Sequence, residues 1–200
     1  MRRGKVAAMA AMAQGRKRVD AGDLKGAIRC FDRAVVTDTD CAQAYLYRAG
    51  LKLLVDDLDG AVADFRALER LDHSFLPAYR DLTTLSAEEF PALIPAAEAA
   101  VRRAPKVPWA WVFRAFSLRS LMRYEEAIAD LDRAVKLAPK SSALWAMRSR
   151  VKLTNRHSFY DGVRDMEKAV AQGLAEPAVD PAPVRRERHG LLHVAHAVIE

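Results

Sequence analysis

Small and bulky apolar residues recur along the chain at a nearly fixed distance, and this is the strongest pattern in the sequence. A small residue stands at Ala27, Ala61, Ala127 and Gly162, with spacings of 34, 66 and 35 residues. A bulky residue follows each of them four positions later, and a third apolar residue follows three positions after that. Side chains at i, i+4 and i+7 lie on one face of an α-helix. The pattern therefore predicts four amphipathic helices of the same kind.

A second helical stripe precedes each of these segments, such as AYLYRAGLKLL before the second and AWVFRAFSLRSL before the third of them. Each repeating unit thus pairs a first helix, here named helix A, with a second, helix B. Because the spacing of 66 is about twice a single repeat, one more unit is expected in that interval. The sequence predicts five helical pairs, at residues 8–40, 41–74, 75–106, 107–140 and 141–173.

The units resemble the tetratricopeptide repeat, a helical pair of about 34 residues with small and bulky residues at set positions. The fourth unit matches that pattern best, at Trp111, Ala115, Tyr124, Ala127, Leu131, Ala134 and Pro139. The first unit departs from it, with Ala11 in place of the usual aromatic residue and Thr39 in place of the proline. The resemblance covers about residues 8–173. It implies an all-α fold, a right-handed α-solenoid whose helices A line the concave side.

Two regions deviate from the regular repeat. In the third unit Pro91 and Pro95 stand close together, and only residues 96–104 have an uninterrupted helical pattern, so its helix B is expected to start late or to kink. Beyond Gly173, a helix stop, residues 174–180 are expected to form a connector. Residues 181–200 then predict one terminal helix with an apolar stripe, which either caps the array or seeks a partner helix.

Charge and cysteine content narrow the class of protein without identifying its partner. The net charge is +6, and because a basic surface can bind nucleic acid, an RNA-binding repeat protein is one alternative. The two cysteines, Cys30 and Cys41, form no metal-type motif, which fits a reducing, cytoplasmic location. Residues 1–15 faintly resemble a signal peptide but also fit the first repeat helix. Since no segment approaches roughly twenty apolar residues, we expect no membrane partner.

The sequence carries none of the motifs of the common enzyme classes, such as a glycine-rich phosphate loop, G-x-S-x-G or H-E-x-x-H. The one cluster of candidate metal ligands is His189, His193 and His196, which share a face of the predicted terminal helix. No carboxylate or cysteine accompanies them on that face, so a solvated polar face is the simpler interpretation. We therefore predict a non-enzymatic protein without a metal or other cofactor.

Arginine and aspartate occur together or not at all at two matched positions of the repeat. Where helix A carries the arginine, helix B of the same unit carries the aspartate; the pairs are Arg48 with Asp64, Arg114 with Asp130 and Arg148 with Asp165. The first and third units have neither residue. We predict that each pair bridges helices A and B of its own unit and fixes their geometry.

The family resemblance also implies a binding surface, because tetratricopeptide repeats hold peptides along inward-facing positions of helix A. The expected groove residues are apolar or basic: Met12, Arg16, Leu46, Arg80, Trp109, Val112, Phe116, Arg119 and Arg150. An apolar floor flanked by arginines predicts another protein as the partner, through a segment that combines apolar and acidic residues. Chaperone C-termini are disfavoured, because Met12, Leu46 and Val112 stand where a polar clamp would be needed.

Other interpretations stay open. Trp109 and Phe116 could merely pack between the third and fourth units. The array could bind RNA, although its groove aromatics are concentrated in one unit instead of recurring in each. It could also be the regulatory region of a larger protein, and the terminal helix could support a homo-oligomer.

Overall fold

The computed structural model describes residues 2–71 and 92–173, and these two ranges consist of helices and short connections without any β-strand. They contain nine α-helices: α1 Arg2–Asp20, α2 Leu24–Thr37, α3 Ala42–Leu54, α4 Leu58–Arg70, α5 Leu93–Arg103, α6 Pro108–Ser120, α7 Tyr124–Leu137, α8 Ser142–Thr154 and α9 Phe159–Ala171. A single 3-10 turn, Arg156–Ser158, leads into α9. The predicted all-α helical repeat fold is confirmed.

Helices A and B of four units are present as contacting pairs: α1 with α2, α3 with α4, α6 with α7, and α8 with α9. The connection from helix A to helix B uses a left-handed residue at one repeat position, with φ of 74° at Gly22, 64° at Asp56 and 57° at Met122. The following aspartate caps helix B in the first two units, where Asp23 accepts from Gly26 N at 2.8 Å and Asp57 accepts from Gly60 N at 3.0 Å. These caps satisfy helix-end amides that would otherwise lack partners.

Aromatic pairs join neighbouring units through the core. The ring of Phe31 on α2 stacks on Tyr47 of α3, with centroids 5.3 Å apart. Phe65, at the position equivalent to Phe31, packs against Phe113 of α6, with ring centroids 5.7 Å apart. The core is therefore continuous from helix B of the second unit to helix A of the fourth unit.

Helix α5 is helix B of the third unit and is shorter than the other helices B, at 11 residues against 13 or 14. It begins at Leu93, which places Pro95 in its first turn, where the missing amide donor costs little. Its apolar face is buried, and it contacts α3, α4 and α6. An ion pair at 2.9 Å between Arg103 and Asp59 adds a contact to α4.

The first helix is longer than the sequence predicted, since α1 begins at Arg2 and not near residue 8. No proline or capping residue stops it, and its alanines favour helix throughout. Gly15 lies where α1 and α2 approach closely, because a Cβ placed there would be 2.7 Å from Cζ of Phe31.

Several predicted features lie outside the described residues. They are helix A of the third unit with Arg80, the connector at 174–180, and the terminal helix with His189, His193 and His196.

Candidate protein-binding surfaces

The apolar residues predicted for the groove floor are buried. Leu46 and Val112 are each 1% exposed, Trp109 is 2%, Met12 is 4% and Phe116 is 5% exposed. All five belong to one hydrophobic cluster that runs through the array. Such burial is what packing within the array requires of Trp109 and Phe116. A ligand can therefore touch this floor only where the chain opens locally.

The basic residues predicted for the groove are more accessible than the floor. Arg16, Arg119 and Arg150 are half-buried on helices α1, α6 and α8. Arg16 and Arg150 also have interaction partners within the folded chain. The structure thus places the predicted floor in the core and the predicted arginines at the surface of the same helices.

The predicted arginine–aspartate bridges between helices A and B are confirmed in all three units. Each arginine donates from Nε and Nη2 to both carboxylate oxygens of its aspartate. The two distances are 2.9 and 2.5 Å for Arg48 with Asp64, 2.6 and 2.5 Å for Arg114 with Asp130, and 2.7 and 2.7 Å for Arg148 with Asp165. This bidentate geometry fixes the orientation of both side chains as well as the distance between them.

Arg48 and Arg148 also connect neighbouring units, which the sequence did not predict. Arg48 donates to Asp32 of the preceding helix B at 2.8 Å, and Lys52 donates to Asp64 at 3.0 Å. Burial lowers the pKa of Arg48, but hydrogen bonds and charges of Asp64 and Asp32 outweigh that effect and raise the pKa above its usual value. The group combines two cations and two carboxylates, so its formal charges cancel.

An equivalent group surrounds Arg148, and an incomplete one surrounds Arg114. Arg148 Nη1 donates to Asp132 Oδ1 at 2.7 Å, and Lys152 Nζ lies 2.9 Å from Asp165 Oδ2. At Arg114, the hydrogen bond to Asp130 raises the pKa of the guanidinium, and Glu98 adds electrostatic attraction. Leu118 stands where the other two groups have a lysine.

Cations also lie over the aromatic residues of helix A. The guanidinium carbons of Arg114 and Arg133 are 5.0 and 4.6 Å from the ring centre of Trp111. Arg148 and Lys168 each lie 4.5 Å from the Trp145 ring. Because these rings already contact cations of the chain itself, they are poor platforms for the base stacking that RNA recognition uses.

A cleft of about 600 Å³ opens beside Trp109, at the edge where helices B end and helices A begin. Its wall is mainly apolar, and it carries two lysines and one glutamate; the lining is Glu69, Lys106, Pro108, Trp109, Leu137, Ala138, Pro139, Lys140, Ser141 and Leu144. Burial raises the pKa of Glu69. The cleft therefore combines an apolar wall with an excess of positive charge.

Sequence reasoning named Trp109 but missed both lysines of this cleft. Lys106 and Lys140 are 34 residues apart, and each follows a proline, Pro105 or Pro139. They occupy one position of the repeat in two consecutive units. That spacing was the available signal, but it lies in the connection between units and outside the helical stripes.

The described residues hold no group of three or more histidine, cysteine, aspartate or glutamate side chains that could bind a metal ion. None of the helices that the structure describes is both long and apolar enough to span a membrane.

The chain has similar solved structures at low sequence identity. No curated protein matches the chain. The similar solved structures include MamA from Desulfovibrio magneticus RS-1, at 15% identity, covering 83% of this chain and 94% of that chain with a TM-score of 0.41. They also include YrrB, titled a TPR protein with an unusual peptide-binding site, at 15% identity, 83% and 86% coverage and a TM-score of 0.41. A third is the TPR2AB domain of yeast Sti1 in a complex with pHSP90, at 16% identity, 96% and 98% coverage and a TM-score of 0.41.

Two family models, each described as tetratricopeptide repeat, match residues 12–74 and 108–151. Together they cover just over half of the chain. The matched segments run from the middle of α1 through α4 and from α6 into α8. The chain belongs to the tetratricopeptide repeat family.

Proposed function

We propose that this protein is a non-enzymatic interaction scaffold that binds a segment of another protein rich in apolar and acidic residues. The segment lies along helices A and enters the cleft beside Trp109. The observation that carries this proposal is the cleft itself, since its apolar wall and its lysines, Lys106 and Lys140, are complementary to such a segment. Membership of a repeat family built for extended binding surfaces supports it.

The chemistry of the cleft suggests how a ligand divides its contacts. An apolar side chain packs against the exposed Leu137 and Pro139, while carboxylates pair with the two lysines at the rim. Acidic residues further along the ligand meet Arg119 and Arg150, which are half-buried on α6 and α8. The buried floor contributes only after local opening, so the affinity is reduced by the cost of that opening.

The arginine–aspartate groups serve this function by holding the site in place. The guanidinium groups of Arg48 and Arg148 donate their hydrogen bonds to carboxylates of the chain itself. They are therefore structural cations and not ligand contacts. A surface whose supporting side chains are already fixed loses less conformational entropy when a ligand binds.

The test is a selection of peptides from a displayed random 12-residue library against the full chain. We expect the selected peptides to be enriched in leucine, phenylalanine or methionine together with aspartate or glutamate. Binding of a selected peptide should weaken about tenfold in the double variant Lys106→Glu, Lys140→Glu, and should fall moderately as salt rises. The variant Arg119→Glu, Arg150→Glu tests the helix A part of the site in the same way.

A matched control is available, because Lys25 and Lys136 are exposed lysines on helices B. The variant Lys25→Glu, Lys136→Glu changes the net charge equally and should bind the peptide as the unmodified chain does. The proposal is wrong if selected peptides lack acidic residues, or if the control weakens binding as much as the cleft variant while circular dichroism shows both folded.

A further inference from the structure

The outer face of α1 carries an exposed apolar stripe that no other described helix A carries. Val6, Met9, Ala10 and Ala13 lie at i, i+3, i+4 and i+7, on the side opposite to the face that packs on α2. Val6 is 66% and Met9 is 71% exposed, and both alanines are exposed as well. Large apolar side chains this exposed, next to one another, commonly mark an interaction surface.

The repeat itself shows what such a face is built to contact. The positions equivalent to Ala10 and Ala13 are buried in α3, α6 and α8, where they are Ala44 and Tyr47, Ala110 and Phe113, and Leu144 and Met147. In those helices this face packs on a preceding helix B, as the stacking of Tyr47 on Phe31 illustrates. The stripe on α1 is therefore a helix A face that no helix B among the described residues covers.

The helices B of this chain also show the chemistry of a fitting partner. In α2 and α7, a bulky residue that faces the next helix A is followed directly by an aspartate that bonds to an arginine on that helix. Phe31 is followed by Asp32, which bonds Arg48, and Leu131 is followed by Asp132, which bonds Arg148. An apolar residue joined to a carboxylate is thus the recurring signature of this interface.

Charge on α1 favours an acidic partner over a second copy of the same helix. Exposed Lys5 and Lys17 bound the stripe, four residues before Met9 and four residues after Ala13, and the helix has no acidic residue before Asp20. Two α1 helices packed against each other would bring these lysines together. Gln14, at the arginine position of the repeat, is already engaged by Arg33 at 2.8 Å, so the lysines are the cations that meet the ligand.

We propose that the outer face of α1 is a second docking site, separate from the cleft, for an acidic amphipathic helix of another protein. The docked helix takes the place of a preceding helix B. It sets a bulky apolar residue against Met9 and Ala13 and carboxylates beside Lys5 and Lys17. The array can thereby be extended by a partner helix while its cleft is occupied by a different segment.

The test uses a helix-constrained peptide with the sequence of residues 124–137, YEEAIADLDRAVKL, as a surrogate helix B. The full chain is labelled with ¹³C at its methionine methyl groups and observed by NMR. Met9, within α1, and Met122, in the connection between α6 and α7, form a matched pair at 71% and 72% exposure. We expect the peptide to shift the Met9 methyl signal to saturation and to leave the Met122 signal unchanged.

Substitutions in the chain and in the peptide test whether the peptide binds at the outer face of α1. Met9→Lys should weaken the peptide about tenfold, whereas Met122→Lys should leave its affinity within about twofold. A peptide with Asp132→Lys should bind weakly, and Lys136→Glu in the chain, at an exposed residue of α7 outside both the cleft lining and the outer face of α1, should have no effect. Circular dichroism of each variant verifies that it is folded.

Four results would overturn the assignment. The Met122 signal could respond as strongly as Met9, or the Met9 signal could fail to respond to the peptide at all. The Met9 signal could move with protein concentration alone, which would identify a second copy as the occupant. It could also broaden with vesicles of phosphatidylserine and phosphatidylcholine but not with the peptide, which would identify a lipid surface.

Discussion

Removal of Arg114 should destabilise the array more than removal of Arg48 or Arg148, although the three residues occupy the same repeat position. The perturbation is Arg114→Met, which keeps an unbranched side chain and removes the charge and the donors. It leaves Asp130, whose side chain is 3% exposed, without the two hydrogen bonds at 2.6 and 2.5 Å. Among the described residues, no lysine bonds Asp130 in addition.

The magnitude follows from what remains after each substitution. Breaking a buried ion pair by removing one partner costs about 3 to 5 kcal/mol. The side chain of Arg114 is 23% exposed, so some water can reach Asp130, and we expect a loss of about 3 kcal/mol. In Arg48→Met, Lys52 stays 3.0 Å from Asp64 and keeps a compensating charge, so about 2 kcal/mol is expected.

The assay is urea unfolding followed by circular dichroism at the helix band, with midpoints and slopes compared among the three variants. Because repeat arrays need not unfold in one step, calorimetry should accompany it. The control is Arg123→Met, which breaks an exposed pair with Glu126 on α7 and should change the midpoint little. Equal losses for Arg114→Met and Arg48→Met would refute the reasoning from residual charge.

A second substitution tests whether the loss comes from the stranded carboxylate. In Arg114→Met combined with Asp130→Leu, no buried charge is left without a partner. This double variant should be more stable than Arg114→Met alone, because replacing both members of a buried pair by apolar residues costs less than removing one.

Four further outcomes are expected. Gly15→Ala should destabilise by about 1 to 3 kcal/mol in urea unfolding, because its Cβ would meet the ring of Phe31 at 2.7 Å. Ser149→Ala should raise the free energy of unfolding by about 1 kcal/mol, since the buried Oγ has no hydrogen-bond partner among the described residues. Met122→Gly should stabilise by about 1 kcal/mol, because φ is 57° there and glycine adopts that conformation without strain. Burial raises the pKa of the Cys41 thiol, so its alkylation by iodoacetamide at pH 8 should be slower than that of a free cysteine and should accelerate in denaturant.

The repeat could be predicted from the sequence because local packing sets the residue type at each of its recurring positions. Ala27, Ala61 and Ala127 are each fully buried where helices A and B meet, so the same small residue is required in each unit. The arginine–aspartate bridges were predictable for a related reason. A buried carboxylate such as Asp64 needs a cation, so the two residues are retained or absent together.

The candidate site was less predictable, because it depends on how units stack. A repeat position gives the direction of a side chain on its helix, but not whether another part of the fold covers it. Leu46 and Val112, which the repeat pattern predicts for the groove floor, are buried in the core. Lys106 and Lys140 lie in connections between units, where the helical period gives no information, and only the folded chain brings them to one cleft.

The distribution of charge connects the scaffold to its proposed function. Around Arg48 and Arg148, two cations offset two carboxylates, and around Arg114 the carboxylates of Asp130 and Glu98 outnumber the arginine. The first two groups have no net charge and the third has one excess negative charge, so none of them supplies the net charge of +6. The excess of positive charge must therefore lie on the remaining surface, which includes the cleft, the half-buried arginines and the outer face of α1. Because screening acts mainly on exposed charges, added salt should weaken binding of an acidic ligand well before it alters the stability of the array.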